Sequence, residues 1–231
     1  MEISVAIPYY NRADMVMETI KPLLPDNRID EIILCDDCSP RRDFLQLLKN
    51  TSGMDKIKII RNTENHHNQH NKRNALSFAK NEWVLLLDND NIANREFIDK
   101  FFGIGRYDKN TIYHPAFASP MYDYRQFNGH VITKKNANIY CRHAIFVTLA
   151  NTNNYFVNRD EYLRIYEYDK TVRGADGIYY TYSWLKAGNK LFIVPDLEYY
   201  HRVHEGSEFL REVENNMKLI YIYLDKIKKL S

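Results

Sequence analysis

The chain has 231 residues, 45% hydrophobic and 27% charged, with a formal net charge of +2, which allows a sizeable core and is the balance of an ordinary globular protein. So small a charge, with Lys and Arg spread along the chain, excludes a dedicated nucleic-acid binder, and no apolar run reaches the length of a membrane span. Three cysteines, an odd count, fit a reducing cytosol rather than a disulfide framework, and strand-like sequence begins at once with no signal peptide, so a cytoplasmic location is expected.

Residues 3–7 are a short β-branched run stopped by Pro8 and read as a first buried strand, with Pro8, Tyr9, Tyr10, Asn11 and Arg12 as the loop at its carboxyl end. Residues 15–24 have helical spacing and stop before Pro25. Residues 31–35 are the second strand, with Asp36-Asp37-Cys38-Ser39-Pro40 as its polar exit. Residues 44–49 are helical, with Phe44, Leu47 and Leu48 on one face, and 56–60 are a third strand. Residues 62–71, rich in Asn and His, read as a polar loop, and 72–80 as a helix carrying Ala75, Leu76, Phe78 and Ala79. Residues 83–87 are apolar without a break and run into Asp88-Asn89-Asp90-Asn91. Such a run reads as a strand buried on both faces, as in a parallel sheet.

This β-α-β-α-β-α-β order implies a mainly parallel sheet with right-handed crossovers and helices on both faces. Parallel strands carry their exit loops to one edge, so Asn11, Asp36, Asp37, Asp88 and Asp90 should converge there. Two carboxylates at the end of a buried strand are costly unless something positive meets them. A divalent cation with oxygen ligands would do so; the alternative is a simple polar turn.

After Ile92 the pattern changes. Residues 95–102 read as a helix, 103–148 as mixed strands and loops, 155–157 as an extended piece and 161–166 as a short helix. Residues 174–187 read as a helix opened by Gly-Ala-Asp-Gly and closed by Gly188, residues 191–194 as a strand, and 207–230 as a long helix. In that last helix Val213, Met217, Ile220, Leu224 and Ile227 form one apolar stripe with a basic end at Lys226, Lys228 and Lys229. The stripe suits packing on the body of the protein or on a second copy, a homodimer; the alternative is contact with an anionic membrane surface. A single domain over 1–231 is expected, with 1–100 and 101–206 as its two halves.

Several residues carry chemistry beside a plainer structural reading. An Asp held at 36 or 37 can accept from the N3–H of a uracil; the alternative is a turn with Ser39 as helix cap. Cys35 and Cys38 spell C-x-x-C, but Cys35 ends a strand and two carboxylates between the thiols would raise their pKa values, against redox chemistry. His66, His67 and His70 lack a nearby fourth zinc ligand and read as solvated loop residues. Arg73, near a helix start, could reach a base or phosphate, or be a surface arginine. Asp176 opens a helix, where a carboxylate stays ionised and can act as a base or simply as a cap. One of His201 and His204 could complete a cation's shell.

Taken together these residues resemble a family 2 glycosyltransferase of the GT-A fold. Val5-Ala6-Ile7-Pro8-Tyr9-Tyr10-Asn11-Arg12 resembles the family's V-x-I-P-x-Y-N-R. Residues 31–39 resemble E-I-I-V-V-D-D-G-S, Lys72-Arg73-Asn74-Ala75-Leu76 resembles A-R-N-x-G, and Leu87-Asp88-Asn89-Asp90-Asn91 resembles the metal-binding L-D-x-D-D. Residues 155–169 resemble F-R-R … G-F-D-E, and Gly174-Ala175-Asp176 through Gly188 resembles G-E-D … R-L-x-x-G. The departures are Cys38 for Gly, Asn91 for the last Asp, Ala175 for the Glu before the catalytic Asp, and His for the Gly before Arg73. The resemblance implies an α/β GT-A fold and an inverting transfer from a nucleotide-sugar donor, most often a UDP-sugar, to a glycan or lipid-linked acceptor. It implies Mn²⁺ or Mg²⁺ on Asp90 and His204, with His201 in reserve, and Asp88 on the ribose or a metal-bound water. Pro8, Tyr10, Asn11, Arg12, Asp36, Asp37, Arg73 and Asn89 would hold the donor, and Asp176 would be the catalytic base. A degenerate nucleotide-binding module and a nucleotidyltransferase are the alternatives, the latter lacking its Gly-rich loop after the first strand.

Overall fold

The structure is a computed structural model that describes residues 1–204, 210 and 212–230. In chain order the strands and helices of the first half are β1 (Ile3–Tyr9), α1 (Ala13–Ile20), β2 (Ile29–Asp36), α2 (Arg41–Asn50), β3 (Ile57–Arg61), α3 (His67–Ser77), β4 (Trp83–Leu86) and α4 (Arg95–Phe102). There follow β5 (Thr111–His114), β6 (Phe117–Ser119), β7 (Tyr122–Asp123), β8 (Val131–Thr133), α5 (Ala137–Tyr140), α6 (Ile145–Asn151), β9 (Tyr155–Asn158), α7 (Arg159–Ile165), α8 (Asp176–Lys186), β10 (Lys190–Ile193), β11 (Glu198–Tyr200) and α9 (Val213–Lys228).

Among the described residues an eight-stranded sheet runs β3-β2-β1-β4-β9-β5-β10-β8, and a second sheet runs β11-β6-β7. The four strands expected from the first ninety residues pair in parallel, with β1 between β2 and β4. Their side chains are buried in β1 and β4 throughout, as the unbroken apolar runs require. β9 enters antiparallel between β4 and β5, and β8 closes the far edge antiparallel to β10. Both halves of the chain therefore share one sheet. Helices α1, α3, α4 and α8 bury apolar faces, and the aromatic groups of Phe97, Phe101 and Phe156 stack at its centre.

Several bounds differ from expectation: α1 ends at Ile20 rather than 24, α2 starts at Arg41 rather than 44, and residues 103–148, read as strands and loops, also hold α5 and the start of α6. β1 continues through Pro8 to Tyr9. The Ala6 carbonyl accepts from Leu87 N–H while the Tyr9 carbonyl accepts from Asp37 N–H, so Pro8 faces the β4 side beyond the end of β4, where its missing N–H costs no ladder bond. Helix α3 begins at His67, inside the expected polar loop, because its buried face includes Gln69, Asn71 and Lys72 rather than apolar residues alone. The Asn71 side chain donates to Cys35 O at 2.9 Å, and the Gln69 amide donates to Glu167 O at 3.0 Å and accepts from Asp169 N–H at 3.1 Å. The last helix is described from Val213; its expected start at residue 207, and the boundary drawn there, lie outside the described residues. Its buried line is Asn216, Ile220, Tyr223 and Ile227, packed on α8, α5 and α6, while Val213 is exposed.

Helix α8 meets α6 almost backbone to backbone. A Cβ on Gly177 would stand 2.2 Å from the Asn151 carbonyl oxygen, so no larger residue fits without parting the helices. Gly177→Ala is expected to cost about 2 kcal/mol and to lower the melting temperature by about 4–8 °C in a chain of this size. Scanning calorimetry checks this; an unchanged transition would mean the two helices can separate freely.

Candidate active site

The carboxyl edge of the parallel strands opens into a cleft of about 850 Å³. Pro8, Tyr10, Asn11, Arg12, Asp37, Asp88, Asn89, Asp90, Asp176, His201 and His204 all line it. Asp36 and Arg73, also expected there from sequence, do not.

The two neighbouring carboxylates at the end of β2 divide by the period of the strand. Asp36 is fully buried, accepts from Ser39 N–H at 3.1 Å and stands 3.2 Å from Arg61, so it braces the β2–α2 turn. Burial pushes its pKa up. Asp37 faces the cleft, with Oδ1 accepting from the Asn62 amide and from His66 N–H, both at 2.8 Å. Cys38, where the family has Gly, adopts φ of +60°, the conformation Gly supplies most cheaply. The Cys35 thiol is buried and pushed up to about 12, first by burial and then by Asp37 and Asp36. All three cysteines are free.

At the end of β4, Asn154 clamps Asp88. Its carbonyl oxygen accepts from Asp88 N–H at 2.8 Å and its amide donates to Asp88 Oδ2 at 3.1 Å. Asp90 Oδ2 lies 2.8 Å from Arg12 Nη1 and 3.0 Å from His204 Nε2. The arm that carries His204 is tied back by the motif itself. Ile92 and Tyr200 exchange backbone hydrogen bonds, and the Asn91 side chain accepts from Arg202 N–H at 3.1 Å. Asn91, a departure from the family motif, is thus 1% exposed and braces the arm that brings His204 to Asp90. His201 lies deeper, against Tyr122 and Tyr199, and burial lowers its pKa.

Asp176 is the first residue of α8 and is 5% exposed. Desolvation raises its pKa, and Lys72 opposes that rise. Lys72 Nζ, buried on α3, is 2.7 Å from Asp176 Oδ2 and 3.5 Å from Asp88 Oδ1. The Gly174 N–H donates to the buried Asn216 side chain of α9 at 3.2 Å, which pins the turn before Asp176. Lys72, Asn153 and Asn154 also line the cleft but were not foreseen. The available signals were the Lys beside Arg73 and the Asn-rich run ahead of β9. Arg73 turns the other way, its guanidinium 3.3 Å from the Asn74 side chain.

The donor chemistry at Asp90 suits a divalent ion. A carboxylate oxygen and an imidazole nitrogen 3.0 Å apart are spaced like neighbouring ligands on one ion with bonds of about 2.1 Å. No group of three or more His, Cys, Asp or Glu among the described residues forms a metal cage, so other ligands would have to come from a bound substrate or water. Among the described residues Arg12 is an arginine paired with Asp90, at 2.8 Å.

The sequence profile described as "Glycosyl transferase family 2" matches residues 4–165. A Haemophilus influenzae protein described as an uncharacterized glycosyltransferase is 28% identical over 117 residues, 49% of this chain and 38% of that one. The poly(ribitol-phosphate) beta-glucosyltransferase of Bacillus spizizenii is 26% identical over 116 residues, 48% of this chain and 18% of that one. Crystal structures of S. aureus TarS residues 1–349 superpose with TM-scores of 0.68 with UDP and 0.69 with UDP-GlcNAc, at 19% and 17% identity. They cover 96% of this chain, which spans 65% and 66% of those two structures. The fold is therefore GT-A, and the chain spans well under half the length of the curated relatives it matches.

Asn154→Ala would strand the Asp88 N–H and one carboxylate oxygen in the cleft wall. A loss of about 1–3 kcal/mol is expected, read by urea unfolding at constant m value; a loss below about 0.5 kcal/mol would mean that water takes over both bonds.

Proposed function

The chain belongs to glycosyl transferase family 2, and on that premise we propose that it moves a sugar from a UDP-sugar to a hydroxyl of a glycan or lipid-linked acceptor, with inversion. The observation that carries this reading is the buried Asp176 carboxylate facing the same cleft as Asp88 and Asp90. Residues 1–100 would hold the nucleotide sugar and 101–206 the acceptor, within one domain. The TarS complexes with UDP and UDP-GlcNAc support a uridine donor, and the glucosyltransferase acting on poly(ribitol-phosphate) supports a polyhydroxylated acceptor.

Asp37, with Oδ2 left by its two Oδ1 contacts, is the carboxylate suited to a uracil N3–H. Asp88, held rigid by Asn154, suits the ribose hydroxyls. Asp90 and His204 would hold Mn²⁺ or Mg²⁺, with Arg12 turning from Asp90 to the diphosphate. When bound, such an ion supplies Lewis-acid stabilisation of the leaving diphosphate. Asp176 accepts the proton of the acceptor hydroxyl as its oxygen bonds to the anomeric carbon. The bond from that carbon to the diphosphate breaks, and its electron pair leaves with the diphosphate oxygen. One displacement from the face opposite the leaving group inverts the anomeric centre.

Calorimetry should show UDP binding more tightly than GDP or CDP. Chelation with EDTA should abolish UDP release from a UDP-sugar panel and added Mn²⁺ restore it, while Asp90→Asn loses most turnover and keeps its melting temperature. Full activity of Asp90→Asn in EDTA would remove the metal role. Asp176→Asn preserves size and fold but cannot take a proton, so transfer should fall at least about a hundredfold with UDP affinity unchanged. Proton NMR of the wild-type product should show the anomeric configuration opposite to the donor's; retention would assign a different mechanism.

A further inference from the structure

Lys72 is 4% exposed and is the one charged residue on the buried face of α3, which otherwise carries Gln69, Asn71, Ala75 and Leu76. An ammonium in such a place is costly, and a hydrophobic side chain of similar length would pack at less expense. Packing therefore does not account for it. Its contacts do: Nζ sits 2.7 Å from Asp176 Oδ2 and 3.5 Å from Asp88 Oδ1. The Asn153 amide, at 3.5 Å, also approaches Oδ2 of Asp176. Both side-chain donors thus engage one carboxylate oxygen, Oδ2, of a residue that lines the cleft.

We infer that Lys72 is a positioning residue of the transfer reaction: its ammonium holds the Asp176 carboxylate in place for the acceptor and ties it to Asp88 on the donor side. This rests on the reading of Asp176 as the base. Among the described residues Lys72 from α3 and Asn153 before β9 contact Asp176, and Asp88 beyond β4, Tyr155 on β9, Tyr162 on α7 and Tyr166 after it are near enough to interact with its charge. Burial pushes the three tyrosines up, so they stay neutral over the working range. Lys72 is the charge that opposes the desolvation of Asp176. When Asp176 takes the acceptor's proton, the ammonium keeps Asp88 as a counterion, so no cation is left unpaired in the interior.

The sign of the pH effect follows. Without Lys72 the buried carboxyl holds its proton to higher pH, so the acid limb of kcat moves up. The experiment compares the full chain with Lys72→Met, Lys72→Arg and Asp176→Asn, using UDP release from the UDP-sugar turned over fastest. Lys72→Met should bind UDP within about threefold of wild type, lose at least about thirtyfold in kcat at pH 7, and regain part of that by pH 9. Lys72→Arg, which retains the charge, should recover part of the rate. A tenfold rise in donor KM at unchanged kcat, or an acid limb that does not move, would overturn the inference and make Lys72 a donor contact or a structural residue. Near-normal turnover by Asp176→Asn would instead remove the base, and the positioning role with it. Thermal unfolding gives a readout without turnover. Lys72→Met and Asp176→Asn should be non-additive, with the double variant at least as stable as Lys72→Met alone; additive losses would show that the two side chains do not act as a pair.

Discussion

Carboxylates gathered at the edge of a parallel sheet repel one another and lose hydration, and the fold must meet each with a positive or hydrogen-bonding partner. Here the contact on which the cleft depends is Lys72 between Asp176 and Asp88. It joins α3, the end of β4 and the start of α8, three elements far apart in sequence. Without a cation at that point, two carboxylates would face each other across partly desolvated space. The same logic repeats at Asp90, met by Arg12 and His204, and at Asp36, met by Arg61.

The cleft is held by polar ties that act at a distance from the reacting groups. Asn154 fixes Asp88 through both its amide and its carbonyl. Asn91 holds the arm that ends in His204. Asn216 on α9 holds the turn ahead of Asp176, so the last helix described contributes to the site as well as to the core. Each tie satisfies a backbone group that would otherwise be orphaned where a strand or helix ends. This gives Asn91 a structural use in place of the family's third acidic residue, and it leaves the acidic members of the motif at Asp88 and Asp90.

The contacts of α9 bear on how its apolar stripe is read. Of the stripe, Ile220 and Ile227 are buried against the protein's own helices together with Tyr223 beside them, Met217 and Leu224 are partly buried, and Val213 is exposed. Tyr221 and Ile222 point outward instead. No helix among the described residues is long and apolar enough to cross a membrane.

The strands of the first half, their parallel order and the convergence of their exit loops were legible in the sequence, because an unbroken apolar run of strand length has few ways to be buried and alternating helices force parallel pairing. The placement of Asp37, Asp88, Asp90, Asp176 and His204 in one cleft follows from that topology and from the motifs. The tertiary structure alone decided the rest. Helix α3 hid its first turn because its buried residues are polar, and a polar residue shows itself as buried only when its partners, at Cys35, Glu167 and Asp169, are in place. Asp36 and Asp37 are neighbours of the same chemistry, and the pleat of β2 sends one inward to Arg61 and the other to the cleft. Lys72 and Arg73 divide in the same way around a helix. Periodicity reports which face is apolar; it does not report which charge finds a counter-charge a hundred residues away, since that pairing exists only after the sheet has closed.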